Sequence, residues 1–575
     1  MVENKREATE YDLEERQRES KFGVHYKWIA LSNTTLGALM ASIDGSILLI
    51  ALPEIFNGLG VNPLVAGNVD LLLWLLLGYT IMSSVVVVTI GRLSDMFGRV
   101  KIYNLGFAVF AIASTLIYIS SYFITGDAGI LSITVLRLVQ GLGGGFLFAN
   151  SAAILTDAFP ENERGKALGI NSIAFIGGSL IGLLVGGFLA TIDWHLIFMI
   201  SVPIGVIGAV WAYIGLHEIA AIKKNQKFDP LGNITFAASI TMILLAITYG
   251  LLPFGPSSMG WANPLVEAGI VVGFLLLLAF VFIELRTKAP LFNLALFKIE
   301  AFAAGNLSLF LAGMARGGLQ FMLVIWLQGI WLPLHGVSFE NTPLQAAILM
   351  SPLIIGFLVA GPVSGYLSDK YGAKPFTTAG MAINVVGFLL LATLPANFSY
   401  IPFAVIIFFL GIGQGMFTSP NTAWVMSASP PEYRGVSSGM RATLVNVAFM
   451  FSLVIFFSVL VAGISSTLPN ALYSGLIAQN VSNSTAAQIS NLPPTEALFA
   501  ALLGYNPMKA LIPASVIAAL PKQNVATIVG INFFPTLISK PFIDGMQTVL
   551  YVGAFMSLVA AIASAWPTRE VREKL

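Results

Sequence analysis

Cysteine is missing from this 575-residue chain, and histidine occurs only four times. Disulfides, thiolate chemistry and Cys-ligated metal sites are therefore excluded. His25, His195, His217 and His335 lie too far apart for metal-ligand spacing. No metal, cofactor or catalytic constellation is expected, and the chain is not read as an enzyme. Charge is also scarce: 10% of residues are Asp, Glu, Lys or Arg, against about a quarter in an ordinary soluble chain, too few to build a water-soluble surface. The formal net charge is +1, and the positive charges fall in small clusters, so no nucleic-acid partner is expected.

Hydrophobic residues make up 57% of the chain. They arrive in blocks of about 20, the length that crosses about 30 Å of hydrocarbon at 1.5 Å rise per residue. Six such blocks run near Trp28 to Leu52, Val69 to Ile90, Ile102 to Ile124, Ile130 to Ala152, Ala167 to Ala190 and Leu196 to Leu216. Two follow, near Leu231 to Leu252 and Pro264 to Leu285, and then six more: Ala303 to Gly329, Leu344 to Tyr366, Phe376 to Leu394, Ile401 to Trp424, Val436 to Ala462 and Gly545 to Trp566. The sequence thus predicts an all-α polytopic membrane protein whose environment is a lipid bilayer.

Loops that stay in the cytosol carry an excess of Lys and Arg near span ends. Of 29 such residues, 23 fall in the two tails and in the loops holding Arg92, Arg164, Lys223, Arg286, Lys370 and Arg434. That places both termini in the cytosol, as an even span count requires. The first 27 residues, with six basic and seven acidic side chains and no apolar core, read as a cytosolic tail rather than a secretory signal. On the outside, 463–544 is one long segment. Its apolar stretches Ala497 to Leu503 and Pro513 to Leu520 are too short to span, and are expected as amphipathic helices on the outer rim or as a re-entrant hairpin.

An internal repeat decides the architecture. Gly91-Arg-Leu-Ser-Asp-Met-Phe-Gly-Arg-Val-Lys101 returns as Gly365-Tyr-Leu-Ser-Asp-Lys-Tyr-Gly-Ala-Lys374. Gly141-Leu-Gly-Gly-Gly145 returns as Gly411-Ile-Gly-Gln-Gly415, and Glu163-Arg-Gly165 as Tyr433-Arg-Gly435, at an offset of about 270 residues. The order of features demands two six-helix bundles, 28–216 and 302–566, with two linker helices in 217–301 and tails at 1–27 and 567–575. Paired repeats of this kind place a binding site near the midplane between two moving halves.

The residues also resemble the major facilitator superfamily, and within it the fourteen-span drug:H⁺ antiporter group. Its loop Gly-x-Leu-x-Asp-x-x-Gly-Arg is met by Gly91, Leu93, Asp95, Gly98 and Arg99, with Lys101 following. Its fourth-span Arg-x-x-Gln-Gly-x-Gly is met by Arg137, Gln140, Gly141 and Gly143. The ending of its first span is similar to Asp44, Ser46, Ala51, Leu52 and Pro53. One departure stands out: the antiporter signature Gly-Pro-x-x-Gly-Gly reads Gly182-Leu183-Leu-Val-Gly186-Gly187, without its proline. The resemblance implies a fold of two six-helix bundles plus two inserted helices, and proton-coupled efflux.

Several side chains carry candidate chemistry. Asp44 lies in an apolar span, where a carboxylate costs about 2.5 to 3.5 kcal/mol unless it is paired, hydrated or protonated. It is the candidate proton-coupling group, with the permanently charged Arg137 as its partner. Arg316 stands halfway along the ninth span and is a candidate for holding an anionic substrate group or for pairing with an acid. Gln140, Trp74, Asn171, Gln328 and Gln414 are further candidates for a substrate cavity. Arg441 is expected to snorkel to the cytosolic surface. In the repeated loop, Gly91, Asp95, Gly98 and Arg99, with Gly365, Asp369 and Gly372 of the second copy, are candidate gating residues; Asp95 would accept at a helix N-terminus or pair with Arg99. The Gly141 to Gly145 string lies mid-span with no strand before it, so it is read as helix packing rather than a phosphate loop.

The expected function is proton-driven export of amphiphilic drugs or small organic compounds by a plasma-membrane carrier acting as a monomer. Arg316 and the missing proline leave open a proton-coupled importer of an organic anion. A non-transporting sensor or scaffold that uses the long outer segment is the reading from another class.

Overall fold

A computed structural model describes residues 23–62, 68–160, 163–219, 230–255, 257, 259–287, 292–430, 433–504 and 506–566. The tails at 1–22 and 567–575 and the basic loop around Lys223 lie outside the described residues. Every regular element described is helical, and the sole strand-like pairing there is an isolated bridge between Phe254 and Ser257.

Among the described residues, fourteen helical spans are long and apolar enough to cross a membrane. The first six are α1 (Tyr26–Leu59), α2 (Asn68–Phe97), α3 (Arg99–Phe123), α4 (Gly126–Ala158), α5 (Arg164–Ile192) and α6 (Ser201–Gly215). The inserted pair is α7 (Pro230–Gly250) and α8 (Pro264–Arg286). The last six are α9 (Glu300–Val324), α10 (Ser351–Tyr371), α11 (Ala373–Leu391), α12 (Tyr400–Ala428), α13 (Arg434–Ser465) and α14 (Phe533–Ala565). The start of α1 and the end of α14 define what is called here the tail face; the opposite side is the far face.

Burial sorts the helices by depth. The most apolar windows of α1 and α9 are 78% and 83% buried, so the first span of each half runs through the centre, while that of α8 is 17% buried and faces lipid. Lipid offers apolar groups no reason to leave it, so helices associate through close packing. Glycines permit this between α1 and α5. A Cβ at Gly178, Gly182 or Gly186 would press on backbone carbonyls of Leu39, Ile43 and Ile47, one turn apart along α1. The next glycine, Gly187, instead meets Pro343 and Ala347 at the start of the tenth span, where the two bundles touch. Helix ends follow local rules: α8 starts on Pro264 with the Asn263 side chain accepting from Leu265 N–H.

The ninth span does not stop at Val324. It continues as a wide π-helical turn, Ile325–Trp331, and ends through Leu332–Leu334. The long segment between α13 and α14 differs from expectation. It folds into short helices, and one of them, Pro494–Leu502, is buried at every position except Glu496 rather than lying on the rim. Its residues pack beside the π turn, with Gly329 near the Leu502 N–H and Phe499 against Phe457, 5.1 Å between ring centroids. Thr495 Oγ1 also donates to Leu251 O at the end of α7. The segment is shorter than expected as well: α14 begins at Phe533, and Lys540, Pro541 and Asp544 lie inside the helix they were expected to precede.

Candidate functional site

Two buried polar groupings occupy the interior. The first lies within the N-terminal bundle, where α1 supplies Asp44 and α4, one turn apart, supplies Arg137 and Gln140. Arg137 Nη1 donates to Asp44 Oδ2 at 3.1 Å and to Gln140 Oε1 at 3.1 Å. Gln140 Nε2 donates to Asp44 Oδ1 at 2.8 Å, and Ser201 Oγ of α6 approaches the same oxygen at 3.3 Å. The amide also donates to Ser114 Oγ of α3 at 2.8 Å, so four helices converge on one carboxylate. Asp44, Arg137 and Gln140 are all 0% exposed. The guanidinium carbon lies 5.1 Å from the Tyr79 ring centroid, while Arg137 Nε and Nη2 find no acceptor among the described residues. Such a pair is expensive to bury and expensive to break, because either ion left alone keeps its full desolvation cost.

The second grouping lines a cavity between the two bundles, in the half of the molecule nearer the tail face. Its wall is Ala38, Phe148, Asn171, Ser172 and Phe175 on one side and Arg316, Gln414, Phe417, Thr422, Arg441 and Asn446 on the other, with further small and apolar residues. About 90 Å³ of it admits the centre of a water molecule, room for several waters. A smaller chamber of about 50 Å³ adjoins it, bounded by Gly45, Ser46, Tyr79, Thr80, Ser83 and again Arg316. Through Gly45 and Tyr79 this chamber reaches the immediate neighbours of the Asp44–Arg137 pair. The bundles meet on both sides of the cavity. Towards the far face, Gln328 Nε2 donates to Ile50 O at 3.1 Å; towards the tail face, Arg441 Nη1 donates to Ser172 Oγ at 3.2 Å.

Of the cavity candidates from sequence, Arg316, Asn171 and Gln414 line it. Gln140 does not: it braces Asp44 inside the bundle. Gln328 sits in the π turn and crosses to α1, and Trp74 packs partly buried on the apolar core. Arg441 corrects the expectation of a snorkelling side chain. It turns into the cavity wall, where its Nη2 is hydrogen-bonded to Thr422 Oγ1. The repeat held a signal for this, because Arg441 lies 270 residues after Asn171 and the two occupy matching places in α13 and α5.

The repeated loops are alike in backbone and different in contacts. Gly98 and Gly372 join α2 to α3 and α10 to α11 with φ of 107° and 85°, a region that side-chain-bearing residues avoid. Arg99 reaches beyond its own loop: its Nη1 donates to Asp157 Oδ2 at 2.6 Å, at the end of α4. The anion at the N-terminus of α3 is Glu218, which accepts from the N–H groups of Arg99, Val100 and Lys101 at 3.1, 2.8 and 3.2 Å, the arrangement that a helix dipole favours. The Asp95 side chain lies outside the described residues. Neither Asp157 nor Glu218 stood out in the sequence. In the second copy Asp369 is exposed and accepts no hydrogen bond among the described residues, and Ala373 stands where Arg99 does.

Residues 34–453 match the model of the Major Facilitator Superfamily. The chain belongs to that superfamily. It is therefore an integral membrane transporter rather than an enzyme, with the all-α fold of two six-helix bundles and two inserted helices. It is similar to the riboflavin transporter RibZ of Clostridioides difficile, with 29% identity over 75% of this chain and 88% of the relative. The multidrug transporter protein MdtP of Bacillus subtilis is 24% identical over 93% and 92% of the two chains. The tetracenomycin C resistance and export protein of Streptomyces glaucescens is likewise 24% identical, over 93% and 90%. Among solved structures, a bacterial homologue of the human lysosomal transporter Spinster, inward-facing and unoccupied, shares the fold at a TM-score of 0.50 and 15% identity, covering 95% of this chain and 98% of its own.

Proposed function

We propose that this transporter is a proton-coupled antiporter of the drug:H⁺ type, exporting amphiphilic drugs or small organic compounds through alternating access of the cavity between its bundles. The tail face is the cytosolic face of the plasma membrane, and the working unit is a monomer. The observation that carries the reading is the Asp44–Arg137 pair, out of water and one wall away from the chamber that Arg316 shares with the main cavity. Arg137 stabilises the Asp44 carboxylate and burial penalises it. A change in bundle tilt that wets the site or separates the ions alters the balance, and a proton is taken or released. Similarity to proteins named for multidrug transport and tetracenomycin C export supports the outward direction. In this scheme the Gly98 turn and the Arg99–Asp157 bridge latch the cytosolic face, and Gly91, Asp95, Gly365, Asp369 and Gly372 belong to the same gate.

A second reading, a proton-coupled importer of an organic anion, is favoured by Arg316, which has no acidic partner among the described residues, and by Leu183 in place of the signature proline. The sensor or scaffold reading is disfavoured by membership of a transporter family. Purified protein in sealed vesicles under an imposed pH gradient separates these readings. Accumulation of a dye or drug against the proton flow supports antiport, accumulation with it supports import, and gradient-independent behaviour refutes proton coupling. Asp44→Asn is expected to abolish the gradient-driven flux while the protein stays folded.

A further inference from the structure

From the arrangement of charge in the cavity we infer that its ligand is an amphiphilic organic carboxylate, held at its charged end by Arg316 with Arg441 as a second cation. The assignment deepens the reading of the inter-bundle cavity as the substrate site and rests on it. Arg316 and Arg441 both line the main cavity, and no Asp or Glu is among the described residues of its wall. Arg316 is 7% exposed and makes no hydrogen bond or ion pair with a described residue. Guanidinium does not shed its proton in proteins. A deeply placed cation that faces the cavity without an acid among the described residues is therefore a site awaiting an anion. This contrasts with Arg137, whose acid is built in.

Arg441 adds to the imbalance. Among the described residues its guanidinium is held by the hydroxyls of Thr422 and Ser172, neither of which neutralises charge, and its Nε is buried without an acceptor. Asn171 Oδ1 accepts from Ser151, leaving its Nδ2 buried and unpartnered. The wall also holds one buried acceptor without a described partner, Gln414 Oε1, but the donors of Arg316, Arg441 Nε and Asn171 Nδ2 outnumber it, as a carboxylate requires, and the forked guanidinium matches a carboxylate in two hydrogen bonds. The remainder of the wall sets the other end of the ligand. Phe148, Phe175, Leu309 and Phe417 are apolar, and they give an inorganic anion nothing but desolvation, whereas an aromatic or aliphatic body gains there. Arg316 also borders the smaller chamber beside Tyr79, so the ligand's charge would rest close to the wall behind which Asp44 lies.

The test measures equilibrium binding to the full chain in lipid nanodiscs, without any gradient, using three probes of one shape: 1-naphthoate, 1-naphthamide and 1-naphthylmethylammonium. Intrinsic tryptophan fluorescence and the shift in apparent melting temperature provide the readouts. The carboxylate is expected to bind about tenfold or more tightly than the amide, the scale of a charge-assisted hydrogen bond, and the ammonium weakest. Arg316→Gln is expected to erase the difference between carboxylate and amide, Arg316→Lys to keep part of it, and Arg441→Gln to reduce it. Size-exclusion profiles establish that each variant is folded. Absence of carboxylate-selective binding by the native chain, or a preference unchanged in a folded Arg316→Gln protein, overturns the assignment. The outcome is separable from the coupling mechanism: gradient-driven flux of neutral or cationic compounds without carboxylate selectivity sinks this inference alone. Selective binding without gradient-driven flux sinks the antiport reading alone.

Discussion

The two halves of the molecule follow the same path and distribute charge in opposite ways. In the N-terminal half an acid in the central first span, Asp44, is neutralised by Arg137 and braced by Gln140 and Ser201. In the C-terminal half the central first span carries a base at similar depth, Arg316, which faces the cavity with no acid beside it. The loops repeat the contrast. Both turn on a glycine at positive φ, Gly98 and Gly372, yet only the first has the Arg99–Asp157 bridge and the Glu218 cap. Duplication has kept the backbone geometry and let the electrostatics diverge. In the proposed scheme the first half holds and releases the proton and the second meets the solute.

The sharpest way to break this comparison is Asp44→Asn, which should reduce gradient-driven flux to background; wild-type flux and pH dependence in the folded variant would end the idea that the N-terminal half carries the proton. Next in size is the ion pair itself. Arg137→Met leaves a buried carboxylate alone and should cost about 3 to 5 kcal/mol of stability, whereas the double variant Asp44→Leu/Arg137→Met should recover most of it, both followed as apparent melting temperature. If the double variant is as unstable as the single one, the pair is not the reason for the loss. The turns allow a direct comparison of the halves. Gly98→Ala and Gly372→Ala should each cost about 1 to 3 kcal/mol through backbone strain, with Gly98→Ala the worse because its Cβ would also meet Glu218 Oε1; equal losses would argue against that contact.

The smallest effect is expected at the latch. Asp157→Asn removes a bridge whose side chains are 18% and 22% exposed, worth about 1 kcal/mol, but should loosen the tail face. Because the chain lacks cysteine, a Ser419→Cys probe facing Gly169 across the bundle contact, and Gly365 within its own bundle, offers a clean readout. Thiol labelling there should accelerate with Asp157→Asn, and by less with Asp369→Asn, whose side chain is already exposed.

Much of the fold was legible because a bilayer imposes a length rule: all fourteen hydropathy blocks correspond to helices, and the internal repeat announced their grouping. Asp44 and Arg137 could be nominated as intramembrane charges, but their 3.1 Å separation could not be read. Helices that are apolar all round carry no periodic signal of which face meets which neighbour, so the rotation that takes Gln140 to Asp44 and turns Arg441 into the cavity is set only by packing. Asp157 and Glu218 were missed for another reason. As single acids at helix ends they look like ordinary solvated charges, and their partners lie 58 and 118 residues away along the chain. The burial of Pro494–Leu502 escaped notice because a nine-residue apolar helix is too short for the span rule and needs the π turn as its surface.

That wide turn bears on the cavity mechanically. Arg316 and Ile325–Trp331 belong to one continuous rod, and a π turn holds about one residue more than an α turn of the same span. Were it to tighten into ordinary α geometry, the portions of the rod above and below would slip past each other by one residue, a twist of about 100°. The short helix packed against the turn would resist that slip, and so would fix the bearing of a guanidinium deep inside the protein without touching it.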